Sequence, residues 1–325
     1  MSAMQVEAYT AARRGEWDAF VRGSKNGTFL FERGYMDYHA DRFVDASYVV
    51  RDGRGAIVAL LPANRDGDLL ASHGGLTYGG FVVDAGMTTP AMLRVFGAVL
   101  ARARDDGVRR LRYKAIPHIY HAQPAEEDLY CLFRAGARLY RRDVLSVIDY
   151  RAPGPVQDRR ARSARRAERA GLVVRETRDF AAFWPVLTAN LIARYGVNPV
   201  HSLDEIARLA DCFPDRIRLF AAYDQSGGLH AGVVVFVTAT VCHVQYPGIG
   251  EAGKAMGALD AVERHIIDAF APTVRYFDFG SSTEDDGRRL NEGLAEFKEG
   301  FGARTVAHDF YELDVISAAG AFDGI

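Results

Sequence analysis

The stretch VCHVQYPGIGEAGKAMGALDAVERHIIDAF, residues Val241–Phe270, decides the fold. It begins as a strand over Val241–Tyr246, passes through a glycine-bearing turn at Gly248–Gly257 and continues directly as a helix, Gly257–Phe270. Glycines let a backbone approach a pyrophosphate, and the N–H groups and dipole of a helix N-terminus attract it. This strand–turn–helix segment is either an anion-binding site or a strand-to-helix connection without a ligand. A second strand that follows soon afterwards, Val274–Phe279, favours the anion-binding site.

The two halves of the chain repeat one order of elements, with strands, helices and antiparallel hairpins in similar succession. The segment YRAPGPV, Tyr150–Val156, interrupts the periodicity with two prolines and a glycine. A chain of 325 residues also exceeds what one hydrophobic core usually supports. We therefore predict an α/β protein with an N-terminal domain, 1–150, and a C-terminal domain, 151–325. Each is expected to hold a mixed, mostly antiparallel sheet flanked by helices.

Composition narrows the class of protein. Hydrophobic residues make up 49%, charged residues 25% and the formal net charge is -2, which argues against a nucleic-acid partner. The three cysteines, Cys131, Cys212 and Cys242, lie far apart and predict neither a metal site nor a disulfide framework. No stretch is apolar for long enough to cross a bilayer, and the N-terminus lacks the apolar core of a signal peptide. We expect a cytoplasmic protein without membrane insertion, as a monomer or weak homo-oligomer.

A helix rich in arginine opens the second half. The segment DRRARSARRAERA, Asp158–Ala170, carries six arginines among good helix formers. It is either a solvated helix face or a cationic wall beside an anionic ligand, because guanidinium forks suit phosphate groups.

The string LNEGLAEFKEGFGAR near the C-terminus supplies a family resemblance. Together with the tandem layout and the arginine-rich helix, its residues Phe297, Lys298, Gly300, Phe301 and Gly302 resemble the FemAB-like branch of the GNAT acyltransferases, whose members repeat the GNAT fold in tandem. The stretch EAGKAMGA, residues 251–258, departs from the usual Q/R-x-x-G-x-G/A loop of that family.

Within that branch the chain resembles sugar N-acyltransferases of surface-polysaccharide pathways. The strings that carry this likeness are GTFLFERGYMDYHADRF and LRYKAIPHIYHAQPAEEDLY in the first half. The resemblance implies transfer of an acyl group from acyl-CoA, the donor co-substrate, to the amino group of a nucleotide-linked amino sugar, without a metal. Two alternatives stay open: an aminoacyl-tRNA-dependent transferase acting on a peptidoglycan precursor, and a non-catalytic module that only binds a ligand.

Five residues are candidate catalytic groups. A neutral amine that attacks a thioester must lose a proton, and His243 in mid-strand is the first candidate base, with Glu284 as the alternative. Tyr246 at the strand end is placed to donate to the departing sulfur. Asp278 lies where polar side chains follow the second strand, and Lys298 is expected, from the family pattern, to face a substrate phosphate or the forming oxyanion.

The remaining candidates would bind substrates. The acyl-CoA phosphates are expected at the glycine-bearing turn and the second strand end: Gly250, Gly253, Lys254, Ala255, Met256, Gly257, Ser281 and Ser282. In the first half, HGGLTYGG and YKAIPHIYH put histidines and tyrosines just past strands, and predict a sugar- or nucleotide-binding wall. Its members are His73, Tyr78, Lys114, His118, Tyr120 and His121. Packing between domains is the competing explanation.

Overall fold

The computed structural model describes residues 4–322 and 324, and divides into two compact units. Unit 1 comprises residues 1–143, 286–288 and 307–325, and unit 2 comprises residues 144–285 and 289–306. Compactness alone does not show that a unit folds independently, so the predicted domain division at residue 150 stays a prediction.

Unit 1 begins with eight strands and four helices. The strands are β1 (Gln5–Ala8), β2 (Val44–Asp45), β3 (Tyr48–Arg51), β4 (Ile57–Leu61), β5 (Asn64–Asp66), β6 (Leu69–Ser72), β7 (Val82–Val83) and β8 (Arg110–Lys114). The helices are α1 (Arg14–Gly23), α2 (Arg33–Met36), α3 (Thr89–Asp105) and α4 (Glu127–Arg134). Strands β1, β3, β4 and β7 form an antiparallel sheet, while β6 pairs in parallel with β8.

One long strand leads from unit 1 into unit 2, whose elements follow in chain order. The strands are β9 (Arg138–Asp149), β10 (Val173–Thr177), β11 (Ile217–Tyr223), β12 (Leu229–Val237), β13 (Val241–Ile249), β14 (Tyr276–Ser281), β15 (Thr283–Glu284), β16 (Arg289–Leu290) and β17 (Arg304–Asp314). The helices are α5 (Asp158–Arg169), α6 (Phe180–Tyr195), α7 (Leu203–Cys212), α8 (Glu251–Met256), α9 (Ala258–Phe270), α10 (Glu292–Glu299) and α11 (Val315–Ala318), of which α11 and most of β17 belong to unit 1.

The sheet of unit 2 is mixed and mostly antiparallel. Its strands run in the order β10, β11, β12, β13, β14 and β9, and only the β13–β14 pair is parallel. On one face the inward side chains of the strands pack with Ala258, Val262, Ile266 and Phe270, which recur every four residues along α9. The prediction of an α/β fold with mixed, mostly antiparallel sheets flanked by helices is confirmed.

Two predicted local features differ from the structure. The glycine-bearing turn at 248–257 is not a turn, because β13 continues to Ile249 and residues 251–256 form helix α8. Strand β9, twelve residues long, was not predicted, since arginines occupy much of its first half and mask the alternation of its second half.

Candidate active site

The parallel strands β13 and β14 are paired over only part of their length. Their register joins Val241 to Tyr276, Cys242 to Phe277 and His243 to Asp278, and ends there. Just beyond, β13 has a bulge where Val235 faces Val244 but Val234 faces Tyr246, and β14 has an irregularity between Asp278 and Ser281. Bulges bend and twist a strand and commonly lie beside active sites. The two strands therefore separate beyond His243 and Asp278.

His243 and Asp278 form a buried pair at this point. The two atoms His243 Nδ1 and Asp278 Oδ2 lie 2.9 Å apart, and the Asp278 side chain is 1% exposed. The other carboxylate oxygen, Asp278 Oδ1, accepts a 2.7 Å hydrogen bond from the Gly280 N–H. With Nδ1–H donated to the carboxylate, the lone pair of the imidazole is on Nε2. Asp278 thus fixes the orientation of the His243 ring, through a contact that alternation in the sequence did not predict.

Lys298 contacts the same strand from helix α10. Its ammonium donates to the carbonyl oxygens of Gly280, at 2.9 Å, and Ser281, at 2.6 Å. Burial lowers the pKa of Lys298 to about 8, against the attraction of Asp278 and Glu263. These bonds fix the irregular end of β14 next to Asp278. The ammonium is engaged with the protein backbone, which differs from the predicted contact with a substrate phosphate or oxyanion.

A buried carboxyl group on α9, which was not predicted as a site residue, lies near Lys298. Glu263 is 1% exposed, and within the described part of the chain its Oε2 accepts no hydrogen bond. Burial raises the pKa of Glu263 to about 8, with repulsion from Asp260 acting in the same direction and Lys298 opposing it. The one signal in the sequence was a glutamate directly after the inward-facing Val262.

The other two candidate catalytic residues have local partners. The Tyr246 hydroxyl is hydrogen-bonded to His201 Nδ1, and its ring packs edge-on against Trp184 with centroids 5.4 Å apart. His201 was not among the predicted site residues; no short motif marks it. Glu284 accepts a 2.8 Å hydrogen bond from Asn291 and is ion-paired with Arg289. Because the Glu284 carboxylate is already engaged by Asn291 and Arg289, the geometry favours His243 over Glu284 as the base.

The glycines of the predicted phosphate loop are packed against the protein's own backbone. A Cβ on Gly253 would lie 2.4 Å from the His230 carbonyl oxygen, and one on Gly257 would lie 2.5 Å from both the carbonyl oxygen and the Oγ of Ser163. Gly257 also has φ of 75°, which lets α8 end and α9 begin. Close packing accounts for these glycines, and they do not form an open phosphate cradle.

The remaining predicted donor-binding residues are divided between surface and interior. Gly250 caps α8 and is half-buried, Lys254 is exposed and ion-paired with Glu251, Ala255 is exposed and Met256 is half-buried. Ser281 is bonded to Thr283, and the buried Ser282 to Ser146. The structure therefore does not bring this set together around one open site.

Most members of the predicted substrate wall are inside unit 1. His73, Tyr78 and Tyr120 are at most 4% exposed, with the tyrosine rings 4.3 Å apart. Lys114 donates to the Leu76 carbonyl, and burial lowers its pKa to about 8. His118 is exposed and His121 is half-buried. In this conformation the three most buried side chains present no surface to a substrate, because they are part of the core.

Comparison with known proteins finds a family match in the second half of the chain. Residues 157–299 match the model of the acetyltransferase (GNAT) domain. No curated protein sequence matches the chain. Residues 157–299, which hold the His243–Asp278 pair, are thus similar to a GNAT acetyltransferase domain.

Solved structures extend the likeness to the whole chain. A crystal structure of FemX has a TM-score of 0.68 at 11% identity, over 95% of this chain and 97% of that one. L-PGS from Bacillus licheniformis has a TM-score of 0.61 at 12% identity, over 97% and 98%. A tandem GNAT protein from the clavulanic acid biosynthesis pathway has a TM-score of 0.52 at 13% identity, over 96% and 98%. At these identities the likeness shows the fold, a tandem GNAT arrangement.

Metal clusters and membrane spans are both absent from the part of the chain that the structure describes. Residues 4–322 and 324 contain no group of three or more histidine, cysteine, aspartate or glutamate side chains arranged to hold a metal ion. None of the helices described combines the length and the apolar character needed to span a membrane.

Proposed function

We propose that this protein transfers an acyl group from acyl-CoA to an amine, with His243 as the general base. The observation that carries the proposal is the buried His243–Asp278 pair at the point where β13 and β14 separate, inside the GNAT-type domain. An imidazole whose Nδ1–H is held by a carboxylate has its second nitrogen oriented to accept a proton.

The proposed reaction uses few groups. The amine nitrogen attacks the thioester carbonyl carbon, a C–N bond forms and the C–S bond breaks. The proton lost by the amine goes to His243 Nε2 and from there to the departing thiolate, whose ordinary pKa near 8.5 makes it a good leaving group. We expect a backbone N–H of β13 beyond His243, where the pairing with β14 ends, to stabilise the oxyanion.

The proposed acceptor is the amino group of a nucleotide-linked amino sugar. The family resemblance in the sequence favours this acceptor. Of the predicted wall, His118 is exposed, whereas both ring nitrogens of the half-buried His121 are buried, so support for a sugar acceptor rests on the resemblance.

Aminoacyl transfer is the second candidate function. Its support is the similarity to FemX and to a domain of a putative lysylphosphatidylglycerol synthetase from Agrobacterium fabrum, which has a TM-score of 0.61 at 14% identity. The latter name describes the attachment of a lysyl group to phosphatidylglycerol. The same base would serve, because an aminoacyl ester and a thioester are both attacked at the carbonyl carbon.

The test compares donors and variants together. His243→Ala and Asp278→Asn should each lower kcat by about 10²–10⁴-fold with an acyl-CoA donor, the usual contribution of general base catalysis. His265→Ala, a change of an exposed histidine on α9, is the control and should leave kcat unchanged. Activity with aminoacyl-tRNA but not with any acyl-CoA would select the second candidate, and a His243→Ala kcat within a few-fold of wild type would refute the role of His243.

A further inference from the structure

Helix α5 has two faces of opposite character. Its inward face carries Ala164 and Ala167, both buried, and Arg160. Arg160 donates to Asp260 at 2.6 Å and stacks on the Phe297 ring at 4.8 Å, which anchors the helix to α9 and α10. Gly300 closes the same contact, accepting a 2.9 Å hydrogen bond from the Gln157 N–H. Phe297 and Gly300, two of the residues that carry the family resemblance, thus hold α5 in place.

The outward face of α5 is a stripe of four arginines: Arg162, Arg165, Arg166 and Arg169. Their spacing of three, one and three residues places them on one side of the helix, over about 10 Å at 1.5 Å per residue. All four are exposed. Within residues 4–322, none of the four has a carboxylate within ion-pairing distance, and Arg166 has one 3.3 Å hydrogen bond, to Ser163 Oγ. We call these four residues the arginine stripe.

The stripe brings together on one helix four arginines without a carboxylate partner among the described residues, whereas seven other arginines of unit 2 have one. Those with a carboxylate partner within 4 Å are Arg159, Arg160, Arg178, Arg218, Arg264, Arg275 and Arg289. Like charges three and four residues apart repel one another and destabilise a helix. A bound anion would offset the repulsion among the four arginines of the stripe.

The position of the stripe suggests which anion. Ser163, between Arg162 and Arg165, is the residue whose carbonyl and hydroxyl oxygens fill the space beside Gly257 at the start of α9. Helix α5 therefore covers the place where an acyltransferase of this fold was expected to cradle a pyrophosphate. The phosphates of the donor therefore need another cationic partner. The exposed guanidinium groups on both sides of Ser163 in the sequence of α5 are available for this contact.

We propose that the arginine stripe binds the phosphate groups of CoA, its pyrophosphate and ribose 3′-phosphate. The inference rests on the proposed acyl-CoA donor and adds its binding site. Guanidinium forks bind phosphate oxygens in pairs, and the distribution of charge along the stripe suits a ligand with phosphates at more than one place. Binding should weaken with added salt, because the stripe is open to solvent.

The experiment measures binding by calorimetry on the full chain, so it does not depend on turnover. Arg162→Gln/Arg166→Gln should raise the Kd for CoA at least tenfold, since two charge-assisted contacts are lost. Arg194→Gln/Arg208→Gln removes the same charge from exposed sites on α6 and α7 and should leave the Kd within twofold. Dephospho-CoA should bind less tightly than CoA to the wild type, and this difference should shrink in the stripe variant.

Other outcomes separate the two proposals. An unchanged CoA affinity in the stripe variant overturns the assignment of the stripe, whatever the His243 variants do. Binding of a single-stranded RNA oligonucleotide in place of CoA also overturns it, because the arginines would then bind the phosphates of a nucleic acid and not those of the acyl donor. If CoA binds through the stripe while no acyl-CoA is turned over, the donor site stands and the proposed reaction fails.

Discussion

At the scale of single residues, the candidate site depends on groups whose partners lie far away in sequence. His243 is bonded to Asp278, 35 residues later, and Lys298 reaches the carbonyl of Gly280, near that carboxylate, from another helix. In the proposed mechanism, Asp278 and Lys298 are therefore positioning residues for the base. The histidine itself was recognisable from its place in a strand, but its carboxylate partner was not.

The protonation of Glu263 gives a prediction at this scale. Its folded-state pKa of about 8 is above the ordinary value of 4.5, so between these values the folded protein holds a proton that the unfolded chain has lost. This contribution to stability is complete below about pH 4.5 and is lost as the pH rises to about 8. The variant Glu263→Gln has no proton to lose and should lack this pH dependence. Between pH 5 and pH 8 the free energy of unfolding of the wild type should therefore fall more than that of the variant. The difference between the two should exceed about 1.4 kcal/mol, the value of one pKa unit.

Urea unfolding at several pH values measures the effect. Glu292→Gln, a change of an exposed glutamate on α10, is the control and should follow the wild-type pH profile. Lys298 acts at higher pH, because its lowered pKa makes the free energy of unfolding rise between about pH 8 and the ordinary value of 10.5. Parallel profiles for wild type and Glu263→Gln over pH 5–8 would contradict the assignment of a raised Glu263 pKa.

At the scale of elements, the junction of α8 and α9 shows how close packing replaced the predicted phosphate loop. Gly257 has a positive φ and lies against the backbone of α5. Gly196 ends α6 with φ of 68°, and a Cβ added to it would have no neighbouring atom within 4 Å among the described residues. The two glycines share backbone conformation and differ in their surroundings.

These two glycines form a matched pair of variants. Gly196→Ala should cost about 1 kcal/mol of unfolding free energy, the strain of a left-handed alanine. Gly257→Ala adds an overlap with the Ser163 carbonyl at 2.5 Å and should cost at least about 1 kcal/mol more. Chemical denaturation of both variants measures the difference. Equal losses would mean that α5 moves aside readily and that the glycine is needed for conformation alone.

At the scale of the whole molecule, the chain order and the compact units do not coincide. Residues 307–325 belong to unit 1, where β17 pairs with β8 through Leu313 and Leu111, and the buried Val315 and Ala318 complete the core. A fragment 1–150 would lack this strand and helix, and would leave one edge of β8 unpaired and its apolar side chains exposed.

We predict that fragment 1–150 alone does not fold cooperatively. Joining residues 304–325 to it through a flexible linker should restore a sigmoidal thermal transition and dispersed amide signals by NMR. A linker followed by a scrambled 304–325 sequence is the control and should not restore folding. A cooperative transition in fragment 1–150 by itself would support the continuous domain 1–150 that the sequence suggested.

Local signals in the sequence were sufficient for several elements of the candidate site. Helix α9 was predicted at 257–270, and strands β13 and β14 were predicted at 241–246 and 274–279, within a few residues of their observed bounds, because apolar periodicity depends on neighbouring positions in the chain. The resemblance carried by residues 297–302 also indicated the tandem acyltransferase fold.

The contacts between those elements could be seen only in the tertiary structure. It paired His243 with Asp278, filled the expected phosphate loop with Ser163 of α5, and left the arginine stripe without carboxylate partners among the described residues. Strand β9 also escaped prediction, because its pairing with β14 rather than its own pattern stabilises it. The physical reason is the same for all of these features. Close packing and hydrogen bonding join residues that are distant in sequence, and periodicity along the chain does not specify which surfaces contact each other.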